Sequence, residues 1–207
     1  MHEKDNLQDF TKNKPNLSAP TKLNLLSGLS GILIGIYAFI GAFVGNYLIN
    51  SYQNNENGIA LLPISFFEIL LAGVALIILL LSVSTAFLLA RKKAKNNNEN
   101  YNSAIKRLLK RFIAPFITGG LFSIILYQYN LIGLILPCTL IFYGIACINA
   151  SKFEFGNIYY LGITNIIIGL IATQFIEFSL HFWALGFGVT HIIYGLLPKK
   201  VMVNEFR

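Results

Sequence analysis

The chain has 207 residues, 55% of them hydrophobic and 12% charged, with a net charge of +7 and a mean hydropathy of +0.63. A soluble domain carries about 25% charged residues, and a soluble core of this size could not hide so much apolar surface. A bilayer can, because its interior is itself apolar. The positive charge forms no nucleic-acid face either, since the basic residues sit in short segments between apolar runs.

Residues 1–22 are polar, carry both signs of charge and include Pro15 and Pro20. They read as a flexible cytoplasmic tail. The apolar run after them is too long for a signal h-region and lacks a small-residue cleavage pattern. Hydropathy then predicts six spans, at about 23–49, 65–90, 112–128, 131–150, 158–178 and 181–198. Against the roughly 20 residues a bilayer requires, the first is long and the third and sixth are short. A second tail, 199–207, follows. The expected fold is all-α: a polytopic membrane bundle of six helices in three hairpins, two of them turned tightly at 129–130 and 179–180. Pro115 is expected in the first turn of its span, where it is harmless, and Pro137 is expected to kink the fourth.

Charge orients the bundle. All 16 lysines and arginines fall in 1–22, 91–111, 151–157 and 199–207, and none in 50–64, 129–130 or 179–180. The positive-inside rule then places both termini in the cytoplasm, for a protein of the bacterial cytoplasmic membrane. The segment Ser103–Phe112 alternates apolar Ile105, Leu108, Leu109 and Phe112 with basic Lys106, Arg107, Lys110 and Arg111 at helical period. It is expected to lie on the inner leaflet against anionic lipids. The simplest role for these charges is to set topology; an acidic partner would also suit them.

Gly28, Gly31, Gly35, Ala38, Ala42 and Gly45 recur at steps of three and four along the first span, so all six share one helix face. Such a stripe suits close packing inside the monomer, and equally a homodimer or another membrane partner.

Polar residues in the later spans share a depth. Tyr143, Asn165 and His191 each lie about seven residues, roughly 10 Å, from the cytoplasmic ends of their helices. Tyr194, Thr139, Thr164 and Thr190 are near the same layer. Two readings fit. One is a structural hydrogen-bond network, each bond worth about 0.6 kcal/mol and at most about 2. The other is a pocket in which Tyr143, Asn165, His191 and Tyr194 bind a proton or small ligand. One histidine with Cys147 nearby is too few ligands for a metal, so no metal or other cofactor is expected. Cys138 and Cys147 lie roughly 13 Å apart along a helix, too far for a disulfide. Glu68, Glu177 and His181 gather toward the outer side, as interfacial residues or as an outer vestibule.

No catalytic signature such as HExxH, GxSxG or a P-loop is present, so an enzyme is not expected. Gly28-LSGILI-Gly35 and Gly162-ITNIII-Gly169 share a seven-residue glycine spacing and a direction of travel, which suits parallel repetition of hairpins. The stretches LIFYGIACINASKFEFGNIYYLG (140–162) and FWALGFGVTHIIYG (182–195) resemble a family of small bacterial six-span membrane proteins without an assigned activity. The last hairpin also resembles, more faintly, the glycine-punctuated repeats of the acid-resistance membrane protein family. These likenesses imply a polytopic membrane protein and supply no reaction. The expected function is a non-catalytic accessory or stress-response membrane protein. The alternative is a small transporter or channel past Tyr143, Asn165 and His191. The lack of a charged residue at mid-membrane favours the first.

Overall fold

The computed structural model describes residues 28–54, 59–95, 101–151 and 158–197. The expected tails lie outside them. The described residues are helical, with no strand among them. We name the helices α1 (Leu29–Gln53), α2 (Ile64–Lys95), α3 (Tyr101–Gln128), α4 (Ile135–Ala150, led by a 3-10 turn at Ile132–Leu134), α5 (Ile158–Gln174) and α6 (Ile176–Leu196). All but α5 contain a segment long and apolar enough to cross a membrane, α4 together with its 3-10 turn; α5 is apolar but has 17 residues.

Several boundaries differ from the hydropathy reading. Where that reading starts the first span at 23, α1 begins after Gly28, whose φ of 78° lies in the left-handed region that favours glycine. It runs on through Asn50, Ser51, Tyr52 and Gln53, since a helix can extend into water past the apolar zone. α2 likewise runs to Lys95. α3 starts at Tyr101, so the basic amphipathic segment and the third span are one continuous helix. Pro115 is therefore inside α3 rather than in its first turn, and the Arg111 carbonyl loses its intrahelical donor near the helix's basic end. Pro137 moves the other way. It falls in the first turn of α4, where a missing N–H costs nothing, and the 3-10 turn before it passes into the helix with Ile135 at helical dihedrals, φ −60° and ψ −51°.

The last turn is also displaced. It lies at Phe175 rather than at 179–180, where φ −123° and ψ 64° break the helix before a 3-10 turn at Ile176–Phe178. Hydropathy missed it because Phe175 and Ile176 are themselves apolar. The turn at 129–130 is where it was expected. Asn130 takes φ 58°, and the Leu131 N–H reaches the Leu126 carbonyl at 2.8 Å, which caps α3.

The most extensive interface joins α4 to α5. α3 packs on α4, α6 packs on both α4 and α5, α1 packs along α6, and α2 packs on α1. Gly31, Gly35, Ala38, Ala42 and Gly45 are buried, Gly28 half-buried. The stripe faces this chain's own α6: a Cβ on Gly35 would stand 2.7 Å from the Gly188 carbonyl oxygen and 2.6 Å from Ile192 Cγ1.

Two helix pairs repeat one another. A Cβ on Gly195 of α6 would meet the Gly28 carbonyl oxygen at 2.7 Å and the Ile32 backbone N at 2.8 Å; one on Gly144 of α4 would meet the Gly162 carbonyl oxygen at 2.5 Å and the Ile166 N at 3.1 Å. Seven residues further along each pair, Gly35 meets the Gly188 carbonyl and Ile192, and Gly169 meets the Pro137 carbonyl and Ile141. The Gly28–Gly35 and Gly162–Gly169 octets thus do the same job in α1 and α5. Their partners match as well. Pro137-CTLIFY-Gly144 and Gly188-VTHIIY-Gly195 share Thr, Ile, Tyr and Gly at equivalent positions.

At these contacts a carbonyl oxygen is the neighbour and cannot swing aside, so Gly144→Ala should lower unfolding free energy by about 1–3 kcal/mol. Reversible unfolding in mixed detergent micelles measures it; an unchanged midpoint would refute the close approach.

Candidate functional site

His191 is the centre of the polar layer, and three consecutive residues of α6 serve three neighbours. Thr190 meets Asn165 of α5, His191 meets Tyr143 of α4, and Ile192 meets Gly35 of α1. His191 and Asn165 are both 0% exposed, and Tyr143 and Tyr194 are buried.

Tyr143 Oη lies 2.6 Å from His191 Nε2, a short hydrogen bond between helices. Either atom can be the donor, depending on which imidazole nitrogen holds the proton. Asn165 Nδ2 donates to the Leu161 carbonyl at 2.9 Å and to Thr190 Oγ1 at 3.4 Å. Thr190 Oγ1 donates in turn to the Gly186 carbonyl. Asn165 thus joins the layer through Thr190, not through the imidazole.

Aromatic rings enclose the histidine. Phe187 stacks on it at 5.9 Å between centroids and lies 4.8 Å from Tyr143. Trp183 extends this stack at 4.9 Å from Phe187, and Phe112 meets Tyr143 edge-on at 5.9 Å. Tyr143, Tyr194, Cys147, Ile158 and Leu161 form the buried cluster behind them. Two wholly buried polar atoms make no hydrogen bond of good geometry, Asn165 Oδ1 and His191 Nδ1. The Gly186 and Phe187 carbonyls lie within electrostatic reach of the imidazole without completing one.

A π-helical stretch, Ala184–Val189, runs immediately before Thr190. At about 100° per residue, Leu180 and Gly188 would stand about 80° apart on an uninterrupted α-helix. The extra residue that a π turn admits removes most of that offset. Leu180, Gly188, Ile192 and Gly195 then all face α1, while Gly186 faces Leu140 and Asn165, with a Cβ there only 2.9 Å from Asn165 Oδ1. The sequence reading missed this feature. Its trace is the pair of glycines two apart, Gly186 and Gly188, just ahead of Thr-His.

The other sequence-derived groups are placed as follows. Thr139 donates to the Leu136 carbonyl on its own helix, and Thr164 is exposed. Glu68 takes Tyr127 as its partner, whose Oη donates to Oε2 at 2.8 Å. Glu177 and His181 are exposed, with the His181 ring 6.0 Å from Phe178. Lys110 and Arg111 are exposed, and the side chains of Lys106 and Arg107 lie outside the described ones. Cys138 and Cys147 form no disulfide. Among the described residues, no three His, Cys, Asp or Glu side chains are grouped to hold a metal.

No family model matches the chain, and neither a curated protein nor a solved structure is significantly similar to it.

Removing the Tyr143 hydroxyl leaves Nε2 without its partner in a dry core. Tyr143→Phe should cost about 1–2 kcal/mol. In a double-mutant cycle with His191→Leu the two losses should fall short of additivity by a similar amount. Additive losses, read from thermal unfolding in detergent, would show that the pair is not coupled.

Proposed function

We propose that this chain is a six-span protein of the bacterial cytoplasmic membrane, arranged as three hairpins with both termini inside, and that it acts as a non-catalytic accessory protein through helix contacts. The confinement of all 16 basic residues to the two tails and to alternate inter-span segments supports the orientation. α5 counts as a span in this reading: its 17 residues, at about 1.5 Å each, reach roughly 26 Å, close to the thickness of a thin bilayer. The observation that carries the accessory role is the enclosure of the polar layer. His191 is 0% exposed, bonded to Tyr143, stacked on Phe187 and set between glycine-closed helix pairs. Polar side chains spent in this way hold helices in register in lipid. The resemblance to small six-span bacterial membrane proteins points to the same class, and the fainter acid-resistance likeness to a role under stress.

A second reading rests on a different observation. Asn165 Oδ1 and His191 Nδ1 are buried beside a π turn without a hydrogen bond of good geometry, as the lining of a transport path could be. Under this reading Tyr143, Asn165 and His191 pass a proton or small polar solute.

Purified protein in liposomes separates the two. The accessory role predicts proton and potassium flux no greater than that of empty vesicles. A saturable flux that His191→Leu abolishes would overturn it in favour of the second. The orientation is tested separately by reporters fused after Arg207, where a fluorescent protein should be bright and alkaline phosphatase inactive.

A further inference from the structure

The helices pack in a series: α2 on α1, α1 on α6, α6 on α4 and α5, and α3 on α4. α2 and α3 are therefore its two edges. The chain connects them at their basic ends through residues 96–100, and no extended interface joins them along their length. At the opposite ends, among the described residues, a hydrogen bond bridges the edges. Tyr127 Oη of α3 donates to Glu68 Oε2 of α2 at 2.8 Å.

Each half of that bridge stands beside a seated residue. Phe67 is buried, with its ring stacked on Tyr52 of α1 at 4.2 Å. Leu126 is buried next to Tyr127. Glu68 itself is half-buried and Tyr127 exposed, so the bond is open to water and protons reach it. The buried histidine has no such access.

The acceptor is a carboxylate without a cation to pair with. All 16 lysines and arginines fall in 1–22, 91–111, 151–157 and 199–207, and none in the segments at this end of the helices. Among the described residues, the titratable side chains at this corner are phenols, Tyr127 on α3 and Tyr52 on α1. A hydrogen bond to an ionised acceptor is about twice as strong as one between neutral groups. Proton uptake by Glu68 therefore weakens the bridge: it is made at high pH and lost as pH falls.

Charge also fixes depth. The apolar run Ile64–Leu89 has 26 residues, roughly 39 Å at about 1.5 Å each, against about 30 Å of hydrocarbon. A helix this long must tilt or slide in the bilayer. Glu68 stands one turn inside its outer end. An ionised carboxylate holds that end at the water boundary, and a neutral carboxyl does not.

We propose that Glu68 and Tyr127 form a proton-operated latch. It ties the outer ends of α2 and α3 while Glu68 is ionised, and opens in acid, freeing α2 to shift against α3. The orientation proposed above decides only which side's acidity is sensed. In detergent both ends meet one buffer, so the latch and the orientation fail separately.

The test is pulsed electron paramagnetic resonance on the full chain with nitroxides at Ser65→Cys and Gln128→Cys, both exposed positions, and with Cys138→Ala and Cys147→Ala. Lowering pH from about 7 to about 3.5, across the range in which carboxylates titrate, should broaden and lengthen a narrow distance distribution. Glu68→Gln and Tyr127→Phe should each show the broad form at neutral pH and no further response to acid. Glu177→Gln/His181→Gln should respond like the parent. A parent distribution that ignores pH would overturn the latch, and so would an acid response that survives Glu68→Gln. If the cysteine-free background fails to fold, hydrogen exchange of the unlabelled chain at fixed neutral pH decides. Glu68→Gln and Tyr127→Phe should each speed exchange several-fold at 64–72 and 120–128, and the double variant no further; unchanged exchange would overturn the latch.

Discussion

Close backbone approach at glycine is the constraint on which this bundle depends. In lipid, apolar side chains gain nothing by leaving their solvent for one another, so helices associate through packing and interhelical hydrogen bonds. Gly144 against the Gly162 carbonyl and Gly35 against the Gly188 carbonyl supply that packing in two equivalent places. The α4–α5 and α6–α1 pairs form the firm part of the molecule, and the fully buried residues Ser30, Leu140, Ala146, Cys147, Ala150, Asn165, Ala172 and His191 lie in or between them.

The polar centre sits where the repetition is broken. When the α4 octet is laid on the α6 octet, His191 occupies the position of Leu140, and Asn165 of α5 occupies that of Gly31 in α1. The α4–α5 copy sets an apolar residue with an amide; the α6–α1 copy sets an imidazole with a glycine. The π turn at Ala184–Val189 belongs to the same departure, because it rotates the N-terminal half of α6 so that both halves keep their face on α1. Local departures of this kind from an otherwise consistent pattern are where function tends to be found.

Depth along each helix made part of this legible in the sequence. Rise per residue is nearly constant, so counting from the charged ends put Tyr143 and His191 at one level, and they bond at 2.6 Å. The small-residue stripe named the buried face of α1 for a similar reason, since three- and four-residue steps track one side of a helix. Hydropathy served less well at the ends of elements. It could not see a break at Phe175 between apolar neighbours, nor that α3 begins at Tyr101 inside a charged segment. Nor did depth reveal azimuth. Asn165 lies at the same level as His191 but turns to Thr190, and Glu68 turns to Tyr127 rather than to Glu177 and His181.

The same logic of repetition explains why α2 and α3 are so little buried. Both carry glycine, but not at the seven-residue spacing that closes the other two pairs, and Gly73 and Gly120 have no neighbour within 4 Å. Lacking that spacing, neither helix can bring its backbone against the other. Each is anchored instead from behind, α2 through Gly41 of α1 and Ile78, and α3 through Gly119 and Phe142 of α4. A bundle closed by glycine at two seams and not at the third is least tied between α2 and α3, and what α3 gives the polar core is the edge of Phe112 against Tyr143.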